Sequence, residues 1–209
     1  MKQEKKKNGI LTVGYGRTEV ETFILTLTKA RVNLVVDVRS VPYSKYNPDY
    51  RKDNLEKSLK NSNIGYLWLE CLGGAPKDAD MYGKDGVVDY PKIASANNFK
   101  KGIKKLEELV KTNTVAIMCA EENPLECHRF LLISRALAKN GLTVVHIGKG
   151  NTLISQQSLE SELVKIYYGS HTQIEFSTTT DPSPFDLVDK NLNESYLKQN
   201  MKYGKRIRK

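Results

Sequence analysis

Short apolar runs alternate with segments of helical periodicity along most of the chain. The runs at residues 10–13, 33–38, 64–69, 114–118 and 143–147 have the length and β-branched content of buried strands. Helical patterns cover residues 18–30, 53–60, 98–111, 124–140 and 158–168. A strand followed by a helix, repeated along the chain, is typical of right-handed crossovers. The pattern therefore predicts an α/β fold, a three-layer Rossmann-like domain with a mostly parallel sheet.

Turn and capping residues set the expected boundaries of these elements. Thr18 and Glu21 form a capping-box pattern at the first helix, and Asn123 with Pro124 predicts that another helix begins near Pro124. That helix should end at Asn140-Gly141, where glycine accepts the left-handed conformation. We predict a single α/β domain over residues 9–170, with an irregular stretch at 75–94 that is typical of a lid or binding loop.

The charged residues concentrate at the two ends of the chain. The formal net charge is +9, of which residues 1–8 supply +3 and residues 202–209 supply +5. The domain itself is therefore nearly neutral. We expect a basic N-terminal tail at 1–8 and a polar, mobile C-terminal segment at 171–209. Such tails make nucleic acid a possible partner, although they can equally be solubilising ends without one.

The apolar runs and the cysteine content indicate the cellular compartment to expect. No apolar run approaches the roughly 18 residues of a membrane span, so we expect a cytoplasmic protein without a membrane partner. The cysteines number three, Cys71, Cys119 and Cys127, too few for a disulfide framework, so reduced thiols are expected.

Ligands of such folds bind outside the carboxyl ends of the strands. The segment Cys119 to Arg129 follows one predicted strand and leads into a predicted helix, whose first N–H groups and dipole would favour an anion. His128 and Arg129 would add donors to a phosphate or carboxylate, and a cysteine there can act as a thiolate. The alternative is structural: buried small cysteines, His128 bonded to a loop carbonyl, and Arg129 paired with Glu121 or Asp37.

A second group follows the strand that ends at Asp37. Asp37 is a candidate base or an orienting partner for His128 or Arg129, and Arg39 a candidate anion clamp; a structural ion pair between them is the alternative. Gly14 and Gly16 suit close approach of a ligand, but Glu19 replaces the third glycine of a dinucleotide fingerprint. Tyrosines in the following loop, Tyr43 among them, are able to stack on a base or simply cover the core.

Several separated motifs resemble the family called domain of unknown function 488 (DUF488). They are Asp37-Val38-Arg39-Ser40-Val41-Pro42 with Ser44, then Gly65-Tyr66, Leu72-Gly73-Gly74, Cys119-Ala120-Glu121 through Pro124 to Cys127-His128-Arg129, and Val145-His146-Ile147. The resemblance covers about residues 10–148 and implies a small α/β domain without an assigned reaction. It departs at Gly14-Tyr15-Gly16-Arg17, where relatives often have a Gly-His-Ser-like turn.

These observations lead to a set of candidate site residues. The predicted catalytic residues are His128, Asp37, Cys119 and Cys127. The predicted substrate-binding residues are Arg39, Ser40, Arg129, Glu121, Gly14, Gly73 and Gly74. Zinc is an alternative ligand, held by Cys119, Cys127 and His128, with or without Cys71. Its spacing differs from paired Cys-x-x-Cys sites, and adjacent helical residues point about 100° apart. No metal ligand is therefore assigned, and the cofactor is left open.

Three functions remain compatible with the sequence. The favoured one is an enzyme acting on a small anionic or nucleotide-like substrate at the carboxyl ends of the strands. A non-catalytic module that binds nucleic acid or protein is the first alternative. A rhodanese-like, cysteine-dependent transfer enzyme is the second, although Cys119 and Arg129 are too far apart in sequence for the short rhodanese loop.

Overall fold

The computed structural model describes residues 9–169 and 184–206, and for residues 184–188 it describes the backbone alone. Six strands form one sheet in the order β3-β2-β4-β1-β5-β6. They are β1 Gly9–Gly14, β2 Leu34–Asp37, β3 Gly65–Trp68, β4 Val115–Cys119, β5 Thr143–Ile147 and β6 Leu153–Ser155. All neighbours pair in parallel except β5 and β6. The predicted α/β class with a mostly parallel sheet is confirmed.

Helices cover both faces of the sheet and complete three layers. They are α1 Val20–Lys29, α2 Lys52–Asn61, α3 Tyr90–Ser95, α4 Asn97–Leu109, α5 Arg135–Lys139, α6 Gln156–Tyr168 and α7 Pro184–Tyr203. Successive strand residues point to opposite faces. Val35 accordingly packs with α1 and α2 in one apolar cluster, and Val36 packs in the other with residues of α3 to α7.

The segment after β4 differs from the predicted helix at Pro124. Asn123 caps a single 3₁₀ turn, Pro124–Glu126, which stops at Cys127 because that residue has an extended backbone (φ −125°, ψ 141°). The chain then forms a π-helix at Arg129–Ser134 that runs into α5. The end of this helix agrees with the prediction, since Asn140 caps it and Gly141 has φ +86°.

Other boundaries are corrected as well. The first helix begins at Val20 after Glu19 and makes no side-chain cap, so the Thr18 capping box does not form. The stretch predicted to be irregular, 75–94, contains a 3₁₀ turn at Ala79–Met81 and most of α3, whose first turn is capped by the Asp89 side chain. The strand β6 was not predicted.

The C-terminal segment is only partly as expected. Helix α7 is ordered against the domain, with Tyr196 buried in the core and Gln199 donating to the Leu125 carbonyl, which corrects the prediction of a mobile segment for residues 184–206. The predicted tail at 1–8 and residues 170–183 and 207–209 lie outside the described residues. In the part of the chain that the structure describes, no helix is long and apolar enough to cross a membrane.

One buried histidine in the sheet makes the fold sensitive to acid. His146 of β5 is fully buried between Thr12 Oγ1 and Gln156 Oε1, each 2.8 Å from a ring nitrogen. Burial lowers the pKa of His146 from 6.5 to about 4. The unfolded chain therefore binds a proton between these values that the folded chain does not, so stability is full above pH 6.5 and falls as the pH drops toward 4.

We predict that this histidine contributes about 3 kcal/mol to the pH dependence of unfolding. The free energy of unfolding, measured by urea denaturation between pH 7 and pH 4, should fall more steeply for the wild-type protein than for His146→Gln, which retains hydrogen-bonding groups but has no titrating ring. Parallel pH profiles for the two proteins would contradict the prediction.

Candidate functional site

The sheet order brings the predicted segments to one edge. Strands β2, β4 and β1 are neighbours, and their carboxyl ends open into a cavity of about 700 Å³. Six of the predicted site residues line this cavity, namely Arg39, Ser40, Gly74, Cys119, Glu121 and His128. The stretches around positions 37 and 128 meet directly, since His128 Nε2 lies 2.9 Å from the Val38 carbonyl oxygen. The convergence that the sequence predicted is therefore present, and the chemical roles stay predictions.

Asp37 and Arg39 form a buried ion pair. The Asp37 carboxylate accepts from Arg39 Nη2 at 2.6 Å, from Arg39 Nε at 3.0 Å and from the Arg39 backbone N–H at 3.0 Å. Tyr66 donates to the same carboxylate at 2.7 Å. Asp37 is fully buried and contacts neither His128 nor Arg129 through these bonds, so the geometry favours the structural ion pair, and the roles as base and orienter stay predictions.

Four polar side chains form a compact cluster at the floor of the cavity. One ligand-type atom from each of Cys119, Glu121, Cys127 and His128 lies within 4.8 Å of the other three. The Cys119 thiol is 2.7 Å from Glu121 Oε2, and the Cys127 thiol is 3.3 Å from the same oxygen. The Asn123-capped turn after β4 makes this possible, because it returns the chain so that Cys127 faces Cys119.

The His128 ring is fixed in orientation by its surroundings. Because a carbonyl can only accept, the bond to Val38 requires the proton on Nε2. Nδ1 then faces the sulfurs of Cys119 and Cys127, at 3.7 and 3.8 Å. Gly74 packs flat on the imidazole, and a Cβ there would overlap ring atoms.

The surroundings shift the pKa values of the two cysteines in opposite directions. Burial opposes ionisation of Cys127, but the hydrogen bond from Cys119 and the charge of Arg129 outweigh it and lower the pKa of Cys127. Burial and the neighbouring Cys127 raise the pKa of Cys119 well above its ordinary value. Burial disfavours a charged imidazole, yet Cys127 raises the pKa of His128. The cluster therefore favours a thiolate at Cys127 beside a protonated His128.

Glu121 is the one member of the cluster that is not buried. Burial favours its neutral form, but the charges of His128 and Lys205 hold the pKa of Glu121 well below its usual range. Its Oε1 accepts from Lys205 Nζ at 2.7 Å, while Oε2 points to the thiols. The carboxylate thus connects the buried thiols with the charged rim of the cavity.

Arg129 has a structural role in place of the predicted anion clamp. Its side chain is fully buried, with Nη1 donating to the Glu121 carbonyl and Nη2 donating to the Glu122 carbonyl at 2.8 Å. Both bonds end on the loop after β4. The guanidinium therefore holds this loop and has no surface on which to bind a ligand.

Two glycines that were predicted to bind a ligand instead lie against other parts of the chain. A Cβ at Gly14 would overlap the Glu121 carbonyl, and one at Gly73 would overlap Ser40. The Ser40 hydroxyl in turn accepts from the Ala75 N–H at 2.8 Å. The binding roles predicted for Gly14 and Gly73 are therefore corrected to close backbone packing.

Among the cavity residues that were not predicted from the sequence are three cations, Lys77, Lys205 and Arg206. Lys205 and Arg206 line the cavity from the segment that follows α7. Both belong to the stretch 202–209, which supplies the positive charge at the C-terminal end. Nothing in the local sequence connects Lys205 with Glu121, which is 84 positions away. Cys71 lies elsewhere: it is exposed and its sulfur packs near Gly102, so it does not join the cluster.

Comparison with known proteins agrees with the motifs. The family model described as "Domain of unknown function DUF488" matches residues 19–136. This stretch includes the Asp37 loop and the whole Cys119 to Arg129 segment. No curated protein and no solved structure matches the chain.

The buried guanidinium leads to a prediction about stability. Arg129→Lys keeps the charge but not the fork that reaches two carbonyls, so we expect the free energy of unfolding to fall by about 1–3 kcal/mol. The matched change Arg206→Lys, on the exposed rim, should alter it by less than about 0.5 kcal/mol. Urea denaturation compares both variants with the wild-type protein. Equal stabilities for the two variants would show that the carbonyl contacts do not hold the loop.

Proposed function

The chain belongs to the DUF488 family, a domain of unknown function, and from its own site we propose that it is an enzyme acting on a small anionic, nucleotide-like substrate. The observation that carries the proposal is the charge of the cavity. Its lining contains the four cationic side chains Arg39, Lys77, Lys205 and Arg206 and the single carboxylate Glu121. An excess of cationic donors in a concave site favours a phosphate or carboxylate ligand.

Arg206 is the cation best placed to bind the anion. Arg39 is held by Asp37, Lys77 by Glu70 and Lys205 by Glu121. Within residues 9–169 and 184–206, Arg206 has no carboxylate at ion-pair distance, and its Nη1 donates only to the Asp85 carbonyl at 3.3 Å. A planar guanidinium with free donors suits bidentate contact with a phosphate.

The cavity also has room for more than an inorganic anion. Its volume of about 700 Å³ falls within the usual range for small-molecule sites. Tyr43 on its wall has an exposed fraction of 56%, and the proposed base stacks on its ring. Arg51 lies over the Tyr43 ring at 4.8 Å and strengthens this aromatic platform. A phosphate with an attached base matches both features.

The chemical groups lie at the floor of the same cavity. His128 is the proposed general acid or base, because the Val38 carbonyl fixes its proton and its ring borders the cavity. Arg206 and Lys205 take the clamping role that the sequence gave to Arg129. Glu121 positions Lys205 through the ion pair of 2.7 Å.

A cysteine-dependent transfer enzyme is the second candidate, and one observation favours it. Cys119 lines the cavity and lies within 3.7 Å of the His128 ring, as a nucleophile near a base would. Its exposed fraction is only 3%, so a substrate must approach through the cavity floor. Full turnover of an identified substrate by Cys119→Ser would exclude this candidate.

We predict that phosphate-containing small molecules stabilise the protein through Arg206. Nucleoside phosphates, sugar phosphates and inorganic phosphate should raise the melting temperature in low salt, the nucleoside phosphates most. Arg206→Ala should weaken their binding roughly 10-fold or more, because one charged hydrogen bond is lost. Thermal-shift titration followed by calorimetry measures the change.

Lys202→Ala is the matched control, because it removes one positive charge near the same end of the chain from outside the cavity lining. It should leave the affinity within about twofold of wild type. An equal loss in Lys202→Ala and Arg206→Ala would reveal general charge attraction. The absence of stabilisation by any anion in the panel would contradict the proposal.

A further inference from the structure

We propose that Cys119, Cys127, His128 and Glu121 form a zinc site at the floor of the cavity. The inference rests on the arrangement of the four side chains and does not depend on the proposed anionic substrate, but zinc on Nδ1 would take His128 out of its proposed role as general acid or base. It concerns the same edge of the sheet but a different ligand.

The distances fit tetrahedral zinc. Zinc bonds of roughly 2.3 Å to sulfur and 2.0–2.1 Å to nitrogen place a tetrahedral sulfur and nitrogen about 3.6 Å apart. His128 Nδ1 lies 3.7 Å from Cys119 Sγ and 3.8 Å from Cys127 Sγ. Glu121 Oε2 lies closer to the sulfurs, at 2.7 and 3.3 Å, so the carboxylate moves outward by roughly an ångström on metal binding.

The backbone explains how neighbouring residues can both be ligands. Adjacent side chains of a helix diverge by about 100°, so Cys127 and His128 could not both reach one metal ion if both were helical. Cys127 is not helical: it has φ −125° and ψ 141°, and the helical conformation begins at His128, with φ −59° and ψ −22°. This change in backbone conformation turns Sγ of Cys127 and Nδ1 of His128 toward the same point.

Three of the four ligands are held by an outer partner of the kind that metal sites use. His128 donates its Nε2 proton to the Val38 carbonyl, which leaves the Nδ1 lone pair for the ion. The Arg129 N–H lies 3.4 Å from Cys127 Sγ, and Lys205 holds the distal oxygen of Glu121 at 2.7 Å. The ligand positions are thus fixed by the surrounding protein.

Ligand chemistry and burial favour zinc in particular. Two thiolates and an imidazole are soft and borderline donors, which select zinc over magnesium or calcium. Two thiolates and one carboxylate leave a single excess negative charge around a divalent ion, and the ammonium of Lys205 offsets it. Cys119, Cys127 and His128 are buried, whereas the Glu121 side chain is 24% exposed. Glu121 would therefore be the ligand closest to the opening of the cavity.

Metal content tests the assignment, with the remaining cysteine as a control. The full chain, purified under reducing conditions and loaded with zinc, should contain about one zinc per chain after removal of loosely bound metal. Cys71→Ser should behave like the wild-type protein. Cys127→Ser and His128→Asn should bind zinc roughly 100-fold more weakly or worse in competition with a chromophoric chelator. Equal affinities for Cys127→Ser and Cys71→Ser would overturn the site.

Cobalt substitution in the wild-type chain decides the matter even if a variant fails to fold. Cobalt(II) in this site should give the intense visible bands of a tetrahedral ion together with thiolate charge-transfer absorption, and one equivalent of zinc should remove both. The weak spectrum of a six-coordinate ion, or a Cys119–Cys127 disulfide in the reduced preparation, would overturn the proposal.

The outcome is separable from that of the proposed function. Zinc binding without stabilisation by any anion contradicts only the substrate proposal. Arg206-dependent anion binding by a chain that gives no tetrahedral cobalt spectrum contradicts only the zinc site.

Discussion

The candidate site depends on one buried interaction, the two hydrogen bonds from the Arg129 guanidinium to the loop carbonyls of Glu121 and Glu122. They tie the loop after β4 to the start of the following helix, so Cys119, before the loop, faces Cys127, after it. Gly14 permits the approach, since a Cβ there would overlap the Glu121 carbonyl. A buried guanidinium also needs a compensating charge. Within the described residues it has no ion-pair partner, and its charge helps to lower the pKa of Cys127.

Much of the fold and the position of the site could be predicted from the sequence. Apolar runs of strand length, alternating with helical segments, predicted the parallel sheet. In such a sheet the segments that follow neighbouring strands meet at the same edge. The roles were harder to predict, because they depend on which partner each charge finds. Arg39 pairs with Asp37 two positions away, and Arg129 reaches carbonyls that no sequence pattern marks. The π-helix at Arg129–Ser134 was likewise not predicted from the helical periodicity of the segment.

Helix α7 shows why the rest of the site was hidden. It docks through the buried Tyr196 and through amides: Gln199 donates to the Leu125 carbonyl, and Asn200 bonds the backbone of Tyr90 and Val88. Apolar periodicity does not report such contacts, so the segment resembled a polar tail. The docked helix nevertheless places Lys205 beside Glu121. A positive charge that the sequence assigned to a tail therefore lies in the wall of the cavity.

Glu121 links the two proposals made for this edge of the sheet. In the present arrangement one oxygen neutralises Lys205 and the other accepts from thiols, so both the rim cation and the cluster share a single carboxylate. A divalent ion at the buried ligands would bind Oε2, while Oε1 stays with Lys205. The charge of the ion would then make the floor of the cavity more favourable to an anion, so metal binding and anion binding should reinforce each other.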